Sequence, residues 1–226
     1  MELFLVIALV VVVVVGLAAM FFSEAAQTRR AMLRVPRSNV SAAIDGELVR
    51  LVGRVVELDP ALDAPLSHRR CVAFRVLVET KQSTGKSSHW VSTIDQRESV
   101  RFVLEDESGR ARIEAAQSKL LVELDEEQGS GFLNDATPEL EAYLAEHGKE
   151  STNFLGLNKS MRYREGVLAL GETVAVLGVA RWEDDPDAGA VDMGQAGFRD
   201  APRKKRLVLE PANDGLYASD DPAVLK

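Results

Sequence analysis

Hydrophobic residues form one long unbroken block at the start of the chain and short alternating runs after it. The block from Leu3 to Phe22 contains no charged residue. As a helix, its roughly 20 residues would span about 30 Å, the thickness of the hydrocarbon core of a bilayer. The pattern therefore predicts a transmembrane anchor over residues 1–23. A cleaved signal peptide is less favoured, because no basic residue precedes the block and an ordinary apolar signal region has only about 7–15 residues.

The charges beside this block predict its orientation. No Lys or Arg precedes it, and four arginines follow it, at Arg29, Arg30, Arg34 and Arg37. Because basic flanks are retained on the cytoplasmic side, we expect a single-pass protein of the cell membrane with its N-terminus outside. Residues 24–44 are rich in helix formers until Pro36. They predict a juxtamembrane helix, ended near that proline, and a linker.

Alternating apolar and polar residues predict strands from residue 45 onward. In the run from Leu48 to Val56, one face contains Val49, Leu51, Gly53 and Val55, and the other contains Arg50 and Arg54. Five further strand segments are Cys71 to Thr80, Trp90 to Ile94, Val100 to Leu104, Met161 to Leu170 and Thr173 to Ala180. We expect a mainly β domain over residues 45–210, built as a small antiparallel barrel or sandwich.

A different pattern interrupts the strands at about residues 125–160. Thr137 fits the N-cap position of a helix, Pro138 its first turn, and Gly148 its end. Leu140, Tyr143, Leu144 and His147 share one face of that helix. We therefore expect one short inserted helix whose apolar face packs on the domain. After the last expected strand at Leu207 to Leu209, residues 211–226 predict a flexible tail.

The composition of the chain limits which partners and which kinds of site can be expected. The chain has 226 residues, a net charge of -8 and one cysteine, Cys71. The acidic balance argues against nucleic acid as a partner. A lone cysteine excludes an internal disulfide, a multi-cysteine zinc module and an iron–sulfur cluster. We expect no cofactor and no metal site.

Several short motifs follow one another along the β-rich part of the chain. They are Pro65-Leu66-Ser67, Arg70 to Val76, Trp90, Glu98, Phe102 to Asp106, Ser108 to Ile113, and residues between Tyr163 and Gly178. This order resembles the GIDE, or "beside a membrane", domain of membrane-anchored ubiquitin ligases of the MULAN type. The similarity covers about residues 45–178.

The resemblance implies a β-rich module next to a membrane. In the eukaryotic ligases, a second membrane helix and a zinc-binding RING follow this module, and the RING carries the activity. A RING needs about eight Cys and His ligands. This sequence has only four Cys and His residues, namely Cys71, His68, His89 and His147. We therefore expect a RING-less, stand-alone, prokaryotic-like form that is not an enzyme.

Catalytic alternatives rest on few residues. His68 and Cys71 could form a nucleophile–base pair, but their spacing would place them on opposite faces of a strand. A hydrolase site in the insertion near His147 is the alternative reading. We expect no catalytic residue, because a cysteine within an apolar run is usually structural.

Basic residues are the candidates for contact with a membrane or a partner. The set combines the four arginines after the anchor with a second cluster: Arg29, Arg30, Arg34, Arg37, Arg203, Lys204, Lys205 and Arg206. Such clusters attract anionic lipid, so a lipid-sensing domain is a further alternative. Our main hypothesis is a cytoplasmic interaction or scaffold module whose partners are the bilayer and an unidentified protein.

Overall fold

The structure is a computed structural model that describes residues 24–83, 87–115, 120–121, 124, 126–130, 137–152, 159–185, 205–213 and 215–226. The expected anchor over residues 1–23 lies outside these ranges. Within them, no helix has the length and apolar character needed to cross a membrane.

The described residues contain two α-helices, a short 3-10 helix at Val40–Ala42, and thirteen strands. The helices are α1 (Glu24–Arg34) and α2 (Pro138–Glu146). The strands are β1 (Arg37–Ser38), β2 (Leu48–Glu57), β3 (Leu62–Asp63), β4 (Arg70–Ser83), β5 (Ser88–Ser99), β6 (Phe102–Asp106), β7 (Gly109–Ile113), β8 (Leu120–Leu121), β9 (Glu126–Ser130), β10 (Met161–Ala169), β11 (Thr173–Asp184), β12 (Lys205–Glu210) and β13 (Leu216–Ser219).

Five strands close into a barrel in the order β2–β6–β7–β12–β11, and β11 pairs back onto β2. Every pair in this ring is antiparallel except β7 with β12. Alternate side chains point inward and form an apolar core, which includes Leu51, Phe102, Leu104, Ile113, Val176, Leu207 and Leu209. The expectation of a mainly β domain is confirmed, and the domain is a barrel rather than a sandwich, but the parallel pair of β7 with β12 departs from the expected antiparallel arrangement.

Two glycines allow barrel strands to approach closely. A Cβ atom on Gly53 would lie 2.5 Å from the carbonyl oxygen of Glu105, on the neighbouring strand β6. A Cβ atom on Gly178 would lie 2.8 Å from the carbonyl oxygen of Glu210, the last residue of β12. Any larger residue at either position would force the backbones apart.

A second sheet is attached to the barrel. It contains β5, β4, β10 and β9 in that order, with β3 pairing to the start of β4. β10 leads into β11 through a turn in which Gly171 has a φ of 83°. The strands predicted from Met161 to Leu170 and from Thr173 to Ala180 are confirmed as β10 and β11, which lie in different sheets.

Helix α2 covers one face of the second sheet. Its side chains Leu140, Tyr143 and Leu144 are buried, and they form a core with residues of the sheet: Phe74, Val76, Val78, Ile94, Met161, Tyr163 and Val167. The Leu140 amide donates to Thr137 Oγ1 at 3.3 Å, and Gly148 adopts a φ of 63° after the helix. The predicted helix, its cap and its packing are confirmed.

The expectation of a flexible tail over residues 211–226 is wrong. β13 pairs with β11 on the same side as β12, so the two strands form one line interrupted by residues 211–215. Leu216, Ala218 and Val224 are fully buried. Four residues are too few to show a strand pattern, and β11 supplies the pairing edge that the local sequence does not reveal.

Residues 24–44 are also part of the folded domain. Helix α1 ends two residues before Pro36, as expected. Its residues Thr28 and Met32 are buried, and Met32 joins a small core with Val52, Leu177 and Val224. The helix is therefore docked on the outside of the barrel together with the C-terminal segment.

The position of Arg50 differs from what the alternation in β2 predicts. It was expected on a solvent face, but it is only 6% exposed. Its guanidinium donates to the carbonyl oxygens of Val224 at 2.8 Å and Lys226 at 3.1 Å. Burial and the nearby charge of Arg37 lower the pKa of Arg50. The C-terminal segment thus covers an arginine that alternation alone would place in water.

Candidate functional site

A cleft of about 600 Å³ lies beside helix α2. We call it the α2 cleft. It is lined by residues from β3 and the following loop, from β4 and β5, and from α2: Leu62, Asp63, Ala64, Pro65, His68, Phe74, Gln96, Glu98, Pro138, Glu139, Ala142, Tyr143 and Glu146. Its walls therefore come from the second sheet and from the inserted helix.

Regular secondary structure positions two of these walls. Gln96 and Glu98 are two residues apart on β5, so both point to the side of the sheet that α2 covers. Glu139, Ala142 and Glu146 follow a helical spacing of three and four residues, so they form one stripe along α2. The cleft thus has a strand on one side and a helix on the other.

A chain of hydrogen bonds joins the two walls. Tyr143 Oη donates to Gln96 Oε1 at 2.6 Å, and Gln96 Nε2 donates to Glu98 Oε1 at 2.8 Å. Burial, reinforced by nearby carboxylates such as that of Glu165, raises the pKa of Tyr143. The phenol therefore stays protonated near neutral pH and acts as a donor that fixes the distance from helix to strand.

The loop after β3 is held by a buried carboxylate. Glu165 accepts hydrogen bonds from the amides of Leu66 at 2.8 Å and Ser67 at 3.0 Å. His68 follows in a left-handed conformation with a φ of 55°, which is uncommon for a residue other than glycine. This arrangement holds the exposed His68 at the mouth of the α2 cleft.

The α2 cleft is acidic. Four of its lining residues are carboxylic acids, namely Asp63, Glu98, Glu139 and Glu146, and none of the described residues that line it is a lysine or arginine. All four side chains belong to exposed residues. They do not form a metal site, because no group of three or more potential ligands is arranged for one within the described ranges. The cleft therefore offers negative charge above a partly apolar floor.

Beside this cleft, one edge of β5 has no partner among the described strands. β5 pairs with β4 from Ser88 to Ser99. No strand of the described part of the chain pairs with its other edge. The open edge lies at the border of the second sheet, and its residues Gln96 and Glu98 line the cleft.

The residues considered for catalysis do not form one site. His68 lines the α2 cleft, whereas Cys71 is fully buried with its thiol 3.7 Å from the carbonyl oxygen of Leu62. His147 packs on the ring of Tyr143, with Nδ1 2.9 Å from the Tyr143 carbonyl oxygen, and it does not line the cleft. Burial, with the charge of Glu165, raises the pKa of Cys71 to about 11. The thiol is therefore protonated and enclosed.

The four arginines that follow the apolar block are partly engaged with the domain. Arg29 lies 3.4 Å from the carboxylate of Asp221, Arg30 donates to the Ala26 carbonyl, and Arg37 donates to the Leu225 carbonyl at 3.3 Å. Arg34 is exposed in the last turn of α1. Arg29 and Arg37 thus contact the C-terminal segment, whereas Arg34 presents its charge at the surface.

The second basic cluster is described only in part. Arg203 and Lys204 lie outside the described residues. Lys205 is exposed, whereas Arg206 lies 2.6 Å from Glu183 and 3.8 Å from Asp185. The charge of Arg206 is therefore balanced by its neighbours on β11 and in the loop that follows.

Sequence reasoning did not find the residues of the α2 cleft. Gln96, Glu98 and Glu139 are polar residues in a strand and a helix, where they resemble ordinary solvent-facing positions. The available signal was the inserted helix itself, because an amphipathic helix that packs on a sheet creates a groove along its margin. The sequence predicted the helix and a strand from Trp90 to Ile94, but not that the two lie beside each other.

The fold and the cleft define a class of protein, a mainly β domain in which a closed barrel carries a second sheet and an inserted helix. The family model of GIDE, described as E3 ubiquitin ligase, matches residues 75–191 of the 226, which is more than half of the chain. The chain belongs to the GIDE family. The match begins within β4 and continues past β11, so it includes α2 and most of the second sheet. In two further comparisons, no curated protein and no solved structure matched the chain.

Proposed function

We propose that this protein is a membrane-anchored, non-enzymatic interaction module. Its barrel and second sheet lie on the cytoplasmic side and hold a protein partner close to the bilayer. Membership of a family described as E3 ubiquitin ligase supports a role in assembling a complex. The proposal assigns this chain the recognition step and no catalytic step.

The docking of α1 on the barrel carries the proposal. The apolar block ends at Phe22, and α1 begins at Glu24. Met32 of α1 is fully buried, and Arg29 lies 3.4 Å from Asp221. A membrane span ahead of α1 would therefore connect to the barrel through a docked helix rather than a free linker. Such a tether keeps the domain near other membrane-bound proteins and raises their effective concentration.

The state of Cys71 supports a role without covalent catalysis. Its side chain has no exposed surface, and its pKa is raised to about 11. Transfer through a cysteine thioester needs an accessible thiolate. The three histidines and one cysteine of the sequence are also fewer than the roughly eight ligands of a RING.

Membrane fractionation tests the anchor. The full chain and a variant lacking residues 1–23 are expressed in parallel, and membranes are extracted with alkaline carbonate. We expect the full chain to resist extraction and the shortened variant to be found in the supernatant with unchanged far-UV circular dichroism. A full chain that carbonate releases would contradict the anchor.

Proximity labelling in intact cells tests the interaction role and the side of the membrane. A labelling enzyme fused to the C-terminus of the full chain should mark cytoplasmic proteins, and a discrete set of neighbours should disappear when residues 1–23 are removed. Neighbours from the outer side, or the same set with and without the anchor, would refute the proposal.

A further inference from the structure

We infer that the α2 cleft and the open edge of β5 together bind an extended, basic segment of the partner protein. The segment adds to the second sheet as a strand and places Arg or Lys at alternate positions toward the cleft. This inference rests on the proposed function, because it names the chemistry of the partner.

The open edge supplies the first argument. β5 has 12 residues, and β4 pairs with it along its length, apart from a register shift between Val78 and Glu79. The opposite edge meets no strand among the residues that the structure describes. Such an edge presents backbone N–H and C=O groups in a row, which is the template for strand addition by a peptide.

The cleft supplies the second argument, independent of the edge. Side chains of a strand alternate between its two faces, and neighbouring strands keep the same alternation. Every second side chain of a strand added next to β5 would lie on the face of Gln96 and Glu98. That face is the one the α2 cleft occupies, with Glu139 and Ala142 of α2 as its opposite wall.

The carboxylates of the α2 cleft favour a basic segment as its occupant. The inward side chains of an added strand would meet carboxylates of Glu98, Glu139 and Glu146, and no Lys or Arg lines the cleft within the described ranges. On the other face, Asp95 already lies 2.9 Å from Arg75 and 3.1 Å from Arg97, so that side has no comparable excess of negative charge. A basic residue is therefore favoured at every second position rather than at all positions.

The same charges disfavour a second copy of this chain on the β5 edge. Pairing β5 with β5 would bring two acidic clefts together, and like charges close to each other are destabilising. A basic segment gains attraction at the same place. The partner segment is accordingly the occupant that the structure favours.

Peptide binding to the full chain in phosphatidylcholine nanodiscs tests the inference. The probe is a fluorescent nine-residue peptide in which Arg alternates with Thr, and binding is measured by anisotropy. A peptide with Glu in place of Arg tests charge. A peptide of the same Arg sequence with N-methyl groups on alternate amides tests strand addition, because it lacks half of the backbone donors.

The matched variants are two double substitutions of exposed glutamates. The variant E98Q/E139Q removes two charges from the cleft, and E47Q/E107Q removes two charges elsewhere on the surface. We expect E98Q/E139Q to weaken binding of the Arg peptide about fivefold and the control to leave it unchanged. N-methylation should weaken binding by about tenfold, and the Glu peptide should not bind.

Three results would overturn the inference. One is equal binding of the Arg and Glu peptides, another is an equal effect of the two double variants, and the third is a dimer in analytical ultracentrifugation that the Arg peptide does not dissociate. Failure of this inference can be distinguished from failure of the proposed function. If E98Q/E139Q keeps the neighbours found by proximity labelling while removal of residues 1–23 eliminates them, the cleft assignment is wrong and the interaction role stands.

Discussion

At the scale of single residues, Cys71 shows how the domain controls reactivity by burial. It lies at the start of β4, where the core of the second sheet encloses it. The apolar surroundings and the charge of Glu165 raise its pKa to about 11. Cys71 therefore acts as a small apolar residue of the core.

We predict that Cys71 resists thiol reagents in the native protein. At pH 8, a pKa of about 11 leaves about 0.1% thiolate, and the sulfur is out of contact with solvent. A maleimide should therefore label the native chain negligibly in an hour and stoichiometrically in 8 M urea, as followed by intact-mass spectrometry. The variant E107C, exposed in the turn between β6 and β7, is the positive control. Fast native labelling at Cys71 would show that the second sheet opens.

Arg50 shows why some residues could not be placed from the sequence. Alternation within β2 correctly separates Val49 and Leu51 from Arg50. It cannot show that the C-terminal segment covers the second side of the strand, because the contact from Arg50 to Val224 joins residues far apart in the chain. Long-range burial of a charged residue depends on tertiary contacts that local pattern does not contain.

At the scale of elements, α2 is the structure that creates the candidate site. Local signals specify it well. Thr137 caps its first turn, Pro138 has a suitable φ for that turn, and its three buried residues are spaced for one face. The sequence therefore predicted the helix and its packing, whereas the cleft needed knowledge of which strand lies beside it.

We predict that T137A loosens α2. The hydroxyl of Thr137 accepts from the Leu140 amide at 3.3 Å, and loss of an N-cap costs about 1 kcal/mol. Amide hydrogens of residues 140–146 should exchange about fivefold faster, as measured by mass spectrometry on a peptide that covers the helix. T173A, at the exposed first residue of β11, should leave this exchange unchanged. Equal exchange in both variants would mean that core packing alone holds the helix.

Some strands could be predicted from their own sequence, whereas others depend on pairing with a strand distant in the chain. β4 and β11 were predicted because their runs are long and alternate strongly. β13 was missed because it is a short segment that depends on a neighbouring strand. β13 pairs with β11, and β8 pairs in parallel with β13. The extended conformation of each therefore depends on its neighbour rather than on its own sequence.

At the scale of the whole molecule, carboxylates make the fold sensitive to acid. Hydrogen bonds from Arg101 lower the pKa of Asp59, and those from Arg162 lower that of Glu79. Partial burial would raise the pKa of Asp106, but hydrogen bonds from Val40, Ser108 and Gly109 outweigh it and leave the pKa below its usual value. A carboxyl group of this kind stabilises the fold above its unfolded pKa of about 4, and the contribution is lost as the pH falls through the folded value.

We predict that the urea midpoint of the detergent-solubilised chain falls between pH 5 and pH 3. The substitution D106N should lower the free energy of unfolding at pH 7 by about 1–2 kcal/mol, because the amide cannot accept all the hydrogen bonds donated to the carboxylate. It should also reduce the loss between pH 5 and pH 3. E107Q, at the exposed neighbouring position, should match the parent at both pH values. A D106N curve parallel to that of the parent would show that Asp106 does not contribute to the acid response.

The strand order of the barrel has a consequence for synthesis on the ribosome. β2, β6 and β7 are made first, yet their ring closes only when β11 pairs with β2 and β12 pairs with β7. Until those late strands emerge, the nascent chain presents two open sheet edges and the apolar faces that later form the core. From this topology we expect the incomplete barrel to be prone to aggregation until β11 and β12 have paired.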